Sequence, residues 1–254
     1  ALAQLLLEAN RLDQAQREVE RVLTLSPYNA FAYRLLGDLN YRQGHFEESI
    51  SAYQRAFQLD PTQIDVYVAL SSQLRRHGGR PAGILDLLQT ASTINPDEAT
   101  LLVALGDQTQ LVGDLDAAVD AYQSALNTLD PYTLTPQLRS RPVGQSRAFA
   151  YARLARAYED LGQLEPAMNY YHAVAAAAPD IPWTHVLVGD ALRRRNDFAA
   201  AEASYQRAIQ HDPSYLDAIV RLADLLSARG KTAEASGLYQ QALQIAETRS
   251  DPGQ

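Results

Sequence analysis

Six prolines cut most of this chain into segments of one length. Pro27, Pro61, Pro96, Pro131, Pro179 and Pro213 each follow a polar residue or alanine at the end of an apolar helical run, at separations of 34, 35, 35, 48 and 34 residues. Units this short cannot each bury an apolar face alone, so a chain with this period folds by stacking one unit on the next. The long interval exceeds the period by 14 residues, and the surplus falls on "YTLTPQLRSRPVGQS", residues 132 to 146.

Aligned by the prolines, "AYRLLGDLNYRQGHFEESISAYQRAFQLDP" (32–61) lies over "AYARLARAYEDLGQLEPAMNYYHAVAAAAP" (150–179) and "THVLVGDALRRRNDFAAAEASYQRAIQHDP" (184–213). Each unit opens with apolar residues at helical spacing and breaks at Gly44, Gly78, Gly113, Gly162, Asn196 or Gly230, then resumes as a second helix. Glycine and asparagine tolerate the left-handed conformation that ends a helix. Pro81 and Pro166 fall in the first turn of a second helix, where a missing N–H does no harm.

These residues resemble the tetratricopeptide repeat family. Its 34-residue unit has a large residue at position 4, Leu-Gly at 7 and 8, Tyr at 11, Gly at 15, Ala at 20, an aromatic at 24, Ala at 27 and Pro at 32. The second repeat supplies Tyr33, Leu36, Gly37, Gly44, Ser49, Tyr53, Ala56 and Pro61, and the sixth supplies His185, Val188, Gly189, Asn196, Ala201, Tyr205, Ala208 and Pro213. The fifth supplies Tyr151, Leu154, Ala155, Tyr158, Gly162, Ala167, Tyr171, Val174 and Pro179. The third departs most, with Ser71 at the small position, an added glycine in "HGGRP" and Leu88 in place of the aromatic. The resemblance implies an all-α fold, a right-handed α-solenoid of stacked antiparallel helical hairpins. It places seven repeats at about 1–29, 30–63, 64–98, 99–131, 148–181, 182–215 and 216–249 of one array spanning 1–254, with an insertion at 132–147 and a tail at 250–254. Small residues at 8, 20 and 27 let helix backbones approach, and the large ones at 4, 7 and 24 fill the holes beside them.

The same sequence argues against several functions. A net charge of −8 and an isoelectric point near 5.1 run against a grip on a phosphate backbone, so nucleic acid is not an expected partner. No run approaches the ~18 to 20 apolar residues of a membrane span, and membrane insertion is not expected. With no cysteine there are no thiolate zinc sites, and His45, His77, His172, His185 and His211 lack ligand spacing, so no metal is expected. "HGGR" is the only glycine pair and lacks a phosphate-cradling pattern, and the acidic pairs Glu47–Glu48 and Glu159–Asp160 read as solvated helix surface. No catalytic residue and no cofactor are expected, and the chain reads as a non-enzyme.

"ALAQLLLEANRLDQAQ" reads as the middle of an amphipathic helix without the basic start of a signal peptide, which leads us to expect a segment of a longer protein. A single lysine among many arginines, with abundant alanine, suggests a high-GC bacterial source. Cytoplasmic residence is the expectation, with the periplasm also compatible.

In the family the first helix of each repeat lines a concave groove, with positions 2, 5, 9, 12 and 13 pointing into it. Carried over, these positions select Phe31, Arg34, Asp38, Tyr41, Arg42, Arg75, Arg76, Asp107, Phe149, Arg156, Glu159, Trp183, Asp190, Arg193, Arg194, Asp217 and Asp224. Phe31, Phe149 and Trp183 all occupy position 2, which is not a packing position, and aromatic and arginine side chains most often dominate binding at interfaces. The expected partner is a protein or peptide, extended or helical, anchored on Trp183 and Phe149, its carboxylates paired with Arg156, Arg193 and Arg194. The residues that chaperone-tail-binding members use are not reproduced by Arg34, Asp38, Ala69, Thr100 and Ala104. The insertion reads as a turn of helix beginning at Thr135–Pro136 and stopped by Pro142, with Ser146 capping repeat five and Arg139 or Arg141 brought to the groove mouth. Two other functions stay open: a recruiting or regulatory module of a larger bacterial enzyme such as a glycosyltransferase, kinase or protease, and self-association through repeat ends that expose Leu2, Leu5 and Leu6.

Overall fold

The computed structural model describes residues 2–129 and 141–250, with the backbone alone at 141–145 and 250. Among them are fourteen helices and no strand: α1 Leu2–Glu8, α2 Leu12–Leu25, α3 Ala30–Gln43, α4 Phe46–Leu59, α5 Ile64–Arg76, α6 Pro81–Ile94, α7 Ala99–Val112, α8 Leu115–Thr128, α9 Arg141–Asp160, α10 Leu164–Ala177, α11 Pro182–Arg194, α12 Phe198–His211, α13 Leu216–Ala228 and α14 Thr232–Ser250. They pack pairwise in chain order as helical hairpins, in two compact units, Ala1–Thr128 and Leu129–Gln254.

Each hairpin turns where the sequence says it does. Gly44, Gly78, Gly113, Gly162, Asn196 and Gly230 all have positive φ, from 61° at Asn196 to 90° at Gly113. The N–H of the next residue then reaches back five positions to a carbonyl in the last turn, as His45 does to Asn40 and Asp197 to Leu192. Asn10, with φ of 55°, makes the same turn between α1 and α2, at the corresponding place in a first repeat whose weak markers conceal it. The second glycine of "HGGRP" is a true one-residue insertion. Ile84, Leu88 and Ala91 are buried 35 residues beyond Ser49, Tyr53 and Ala56, and a side chain on Gly79 would stand 2.8 Å from the Leu74 carbonyl.

In three hairpins the core is a tyrosine ring laid on a glycine. A Cβ on Gly37, Gly106 or Gly189 would come within 2.7, 2.5 and 2.5 Å of the ring of Tyr53, Tyr122 and Tyr205. The rings of Tyr122 and Tyr205 are fully buried, and truncating such an aromatic costs roughly 3–5 kcal/mol. Around them, Ala167, Tyr171, Val186, Val188, Ala208 and Leu222 fill the core of the second unit, and Tyr67, Ile84, Leu88 and Leu101 one core of the first.

The entry to repeat five differs from the sequence expectation. α9 begins at Arg141, so Pro142 lies in its first turn instead of stopping a helix, and Ser146 sits inside the helix instead of capping it. A proline in a first turn gives up no intrahelical bond, which removes the reason for the chain to break there. The helical turn expected after Thr135–Pro136 and Arg139 lie outside the described residues, as does the side chain of Arg141.

Candidate functional site

The face that the first helices present carries three kinds of side chain. The acids come first. The position-24 tyrosines reach past the small residue at position 8 to the carboxylate at position 9 of the same repeat: Tyr53 donates to Asp38, Tyr122 to Asp107 at 2.8 Å, Tyr205 to Asp190 at 2.7 Å and Tyr239 to Asp224 at 2.6 Å. Burial, and then the neighbouring carboxylate, push the Tyr53 and Tyr205 phenols far above their ordinary value, so both remain proton donors. Asp190 is buried and also pairs with Arg221 at 2.7 Å. In repeat five position 9 is Arg156, which accepts nothing, and the Tyr171 hydroxyl donates instead to Glu159 at 2.8 Å.

The second kind ties one repeat to the next. Arg42 donates to the Leu7 carbonyl, Arg76 to the Tyr41 hydroxyl and Arg194 to both oxygens of Glu159 at 2.7 and 3.0 Å, each across 35 residues, from position 13 of one repeat to position 12 of the one before. Partial burial alone would raise the Glu159 carboxyl, but the Arg194 and Tyr171 hydrogen bonds hold it below its usual range. The forked geometry to Glu159 is the stronger kind of ion pair. The Arg193 guanidinium counters the rise of the Tyr205 phenol, Arg34 pairs with Asp38 at 3.2 Å, and Arg195 with Glu165 at 2.7 Å.

The third kind is aromatic. Phe149 on α9 and Trp183 on α11 stack with ring centroids 4.7 Å apart and planes inclined by 20°, and Phe149 is 55% exposed. Beneath them Trp183 rests on the cluster of Ala148, Val174 and Ala178. Its entry to α11 is fixed from behind. Pro182 opens the helix, the Thr184 hydroxyl donates to the Ile181 and Ala178 carbonyls at 2.7 and 3.1 Å, and Nε2–H of buried His185 donates to the Pro179 carbonyl at 2.7 Å. Phe31, the position-2 aromatic of repeat two, instead lies under the Arg34 guanidinium, 4.7 Å from its centre.

Three family profiles, each described as tetratricopeptide repeat, match residues 1–64, 150–181 and 192–251. The chain is a tetratricopeptide repeat protein. Its relatives include the protein CTR9 homolog of Arabidopsis thaliana, 24% identical over 91% of this chain and 24% of the relative. Another is cellulose synthase operon protein C of Xanthomonas axonopodis pv. citri, 37% identical over 41% of this chain and 6% of the relative. The repeat chain therefore spans a quarter or less of the length of these relatives. Among solved structures, PilW, a type IV pilus biogenesis factor, superposes with a TM-score of 0.66 at 18% identity, over 84% of this chain and 91% of that one, a likeness of fold.

Within this tetratricopeptide repeat chain the residues expected in the groove thus separate by work. Asp38, Asp107 and Asp190 serve their own tyrosines, and Arg34, Arg42, Arg193 and Arg194 serve neighbouring side chains or carbonyls. Among the described residues Arg75 and Arg156 are exposed and make no hydrogen bond or ion pair, though Arg156 feels the charge of Glu159. The tyrosine–acid pairs went unread in the sequence, although their signal is there: Asp and Tyr recur 15 residues apart in four repeats. Among the described residues no three His, Asp or Glu side chains gather as a metal site requires, and no helix is long and apolar enough to cross a membrane.

Proposed function

We propose that this chain is a protein-interaction scaffold, and that the first-helix face of repeats five and six binds a peptide segment of a protein partner. The observation that carries the reading is the Phe149–Trp183 stack, a large apolar surface held rigidly from behind and left open in front. Rigid, amphipathic aromatic surface of this kind dominates the energy of peptide and protein interfaces. On this face Asp190 and Glu159 are already engaged by tyrosines and arginines, which favours a surface for recognition over a catalytic site. Capture of partners from lysate by the wild-type chain and by a Phe149→Ala, Trp183→Ala double variant tests it. Loss of a wild-type partner is expected, and an unchanged set of partners refutes the reading.

A second reading is favoured by one observation, the small share of each relative that the chain spans. One further relative is the mouse protein O-mannosyl-transferase TMTC1, 27% identical over 50% of this chain and 14% of its own length. On this reading the array recruits substrate or regulator to a catalytic part elsewhere in a longer protein. Fusion of the array to an unrelated enzyme tests it: recruitment requires the fusion to act faster on a substrate tagged with the captured segment.

A further inference from the structure

A cleft opens in repeat two where repeat five is filled by rings. At positions 4, 7, 11 and 23 repeat five has Tyr151, Leu154, Tyr158 and Tyr170, and repeat two has Tyr33, Leu36, Asn40 and Ala52. In repeat five the Tyr170 ring stacks on Tyr158 with centroids 5.5 Å apart and on Tyr151 at 6.0 Å. In repeat two the smaller side chains leave an open cleft of about 570 Å³ between α3 and α4, lined by those four residues with the exposed Glu47 and Glu48. Clefts of about 300–1,000 Å³ are the size that ligands occupy. Acids in the first turn of a helix, as these two are in α4, need no ligand to explain them, but here they border a cleft with a tyrosine ring on its wall. Among the described residues neither carboxylate makes a side-chain hydrogen bond or an ion pair, and neither does the Asn40 amide. Glu165, the acid at position 18 of repeat five, pairs with Arg195 at 2.7 Å. Glu47 holds position 18 in repeat two, and the residue corresponding to Arg195 is His77, which stacks on Phe46 instead.

We infer that this cleft receives an arginine side chain of a protein partner. It shares no residue with the Phe149–Trp183 platform and belongs to the other compact unit. The methylene stem of an arginine covers apolar Leu36 and Ala52, and its flat guanidinium lies on the Tyr33 ring much as Tyr170 lies on Tyr151. Its N–H donors then meet acceptors in the Glu47 and Glu48 carboxylates, in forked and charge-assisted bonds, and in the Asn40 amide oxygen. Repeat five makes both contacts from within the chain, a flat group on the position-4 tyrosine and an arginine on the position-18 acid. A lysine brings the charge without a plane to stack. An aromatic ring fills the space but gives the two carboxylates and the amide no donor. The net charge of −8 draws a basic segment towards the chain from a distance.

The test compares three chains in selection from a displayed library of random dodecapeptides: the wild type, a Glu47→Gln, Glu48→Gln variant and an Asn40→Tyr, Ala52→Tyr variant. The tyrosine variant rebuilds the repeat-five stack inside repeat two and so closes the cleft, and circular dichroism checks that both variants fold. Both glutamates are exposed, so the glutamine variant carries the test if the added rings unfold the chain. The wild type is expected to enrich arginine-containing peptides that neither variant selects. Anisotropy of one labelled winner is then expected to show binding about five- to tenfold weaker to each variant. Replacing the winner's arginine by lysine is expected to weaken wild-type binding, and by glutamine to weaken it further. Winners that carry a ring in place of arginine, lost on closing the cleft but kept by the glutamine variant, overturn the inference in favour of an aromatic occupant. The absence of any arginine enrichment particular to the wild type overturns it outright, and neither result touches the Phe149–Trp183 platform.

Discussion

Placing one methyl group on Gly189 separates the packing argument from helix propensity, because the two have opposite signs. In the middle of an exposed helix, Gly→Ala stabilises by about 0.5–1 kcal/mol. At Gly189 the new Cβ would stand 2.5 Å from Cε1 and 2.7 Å from Cδ1 of Tyr205, where carbon atoms settle at about 3.5–4 Å. The ring is fully buried and its hydroxyl is held by Asp190 at 2.7 Å, so it must retreat by about 1 Å against its own tether. Overpacking of this kind costs about 1–3 kcal/mol, and Gly189→Ala is expected to lose about 1–2 kcal/mol net. Gly237 on α14 has nothing within 4 Å of the same added atom, and Gly237→Ala is expected to gain the full propensity term. Urea denaturation followed by circular dichroism compares the two within one unit of the chain. Combining Gly189→Ala with Tyr205→Phe releases the tether, and the double variant is expected to lose less than the sum of the singles. A Gly189→Ala chain as stable as Gly237→Ala would refute the glycine–ring account of the repeat.

Three further outcomes are expected. Tyr171→Ala removes a buried ring and is expected to cost roughly 3 kcal/mol or more, read by the same denaturation. Gln73 is buried at a position that Leu39 and Leu225 fill in other repeats, and its Oε1 has no partner, so Gln73→Leu is expected to stabilise by about 1 kcal/mol or more. His185 is buried first of all, then stacked on His211 at 5.2 Å and near Arg207, and its pKa lies below the ordinary histidine value despite the Pro179 bond. A histidine whose folded value is depressed contributes nothing to the pH dependence while both states are neutral. Stability is lost as pH falls through the unfolded value of about 6.5 towards the folded one, and a melting series from pH 7.5 to 5.5 is expected to fall more steeply for the wild type than for His185→Tyr, tyrosine being the residue at this place in Tyr33, Tyr67 and Tyr151.

The fold was legible because its rules are local. A residue that turns left-handed, a small residue facing a ring and a proline at a helix end each follow from chemistry within one unit, and the period repeats the test several times over. The third repeat's added glycine could be read because the buried set simply shifted by one. The binding face was harder to read because its residues have two candidate employers. Asp38, Asp190, Arg42 and Arg194 have the types and spacing of ligand contacts, and a tyrosine from the second helix or a residue one repeat away already engages them. The pairing of His185 with His211 and the early start of α9 were hidden for related reasons: the first joins faces of two helices, and the second depends on a proline that is equally at home ending one segment or beginning the next.

The ties from Arg42 to Leu7, Arg76 to Tyr41 and Arg194 to Glu159 have a consequence for how such a chain changes over generations. Each reaches one unit back and one residue beyond, and so belongs to a junction and not to a particular place in the array. A duplication or deletion of 34 codons leaves the arginine facing the same acceptor position at each surviving junction that carries such a tie. Length is then free to drift while stability per junction stays level, and a face that recognises a partner, such as the one around Phe149 and Trp183, can be carried to a longer or shorter array without being rebuilt.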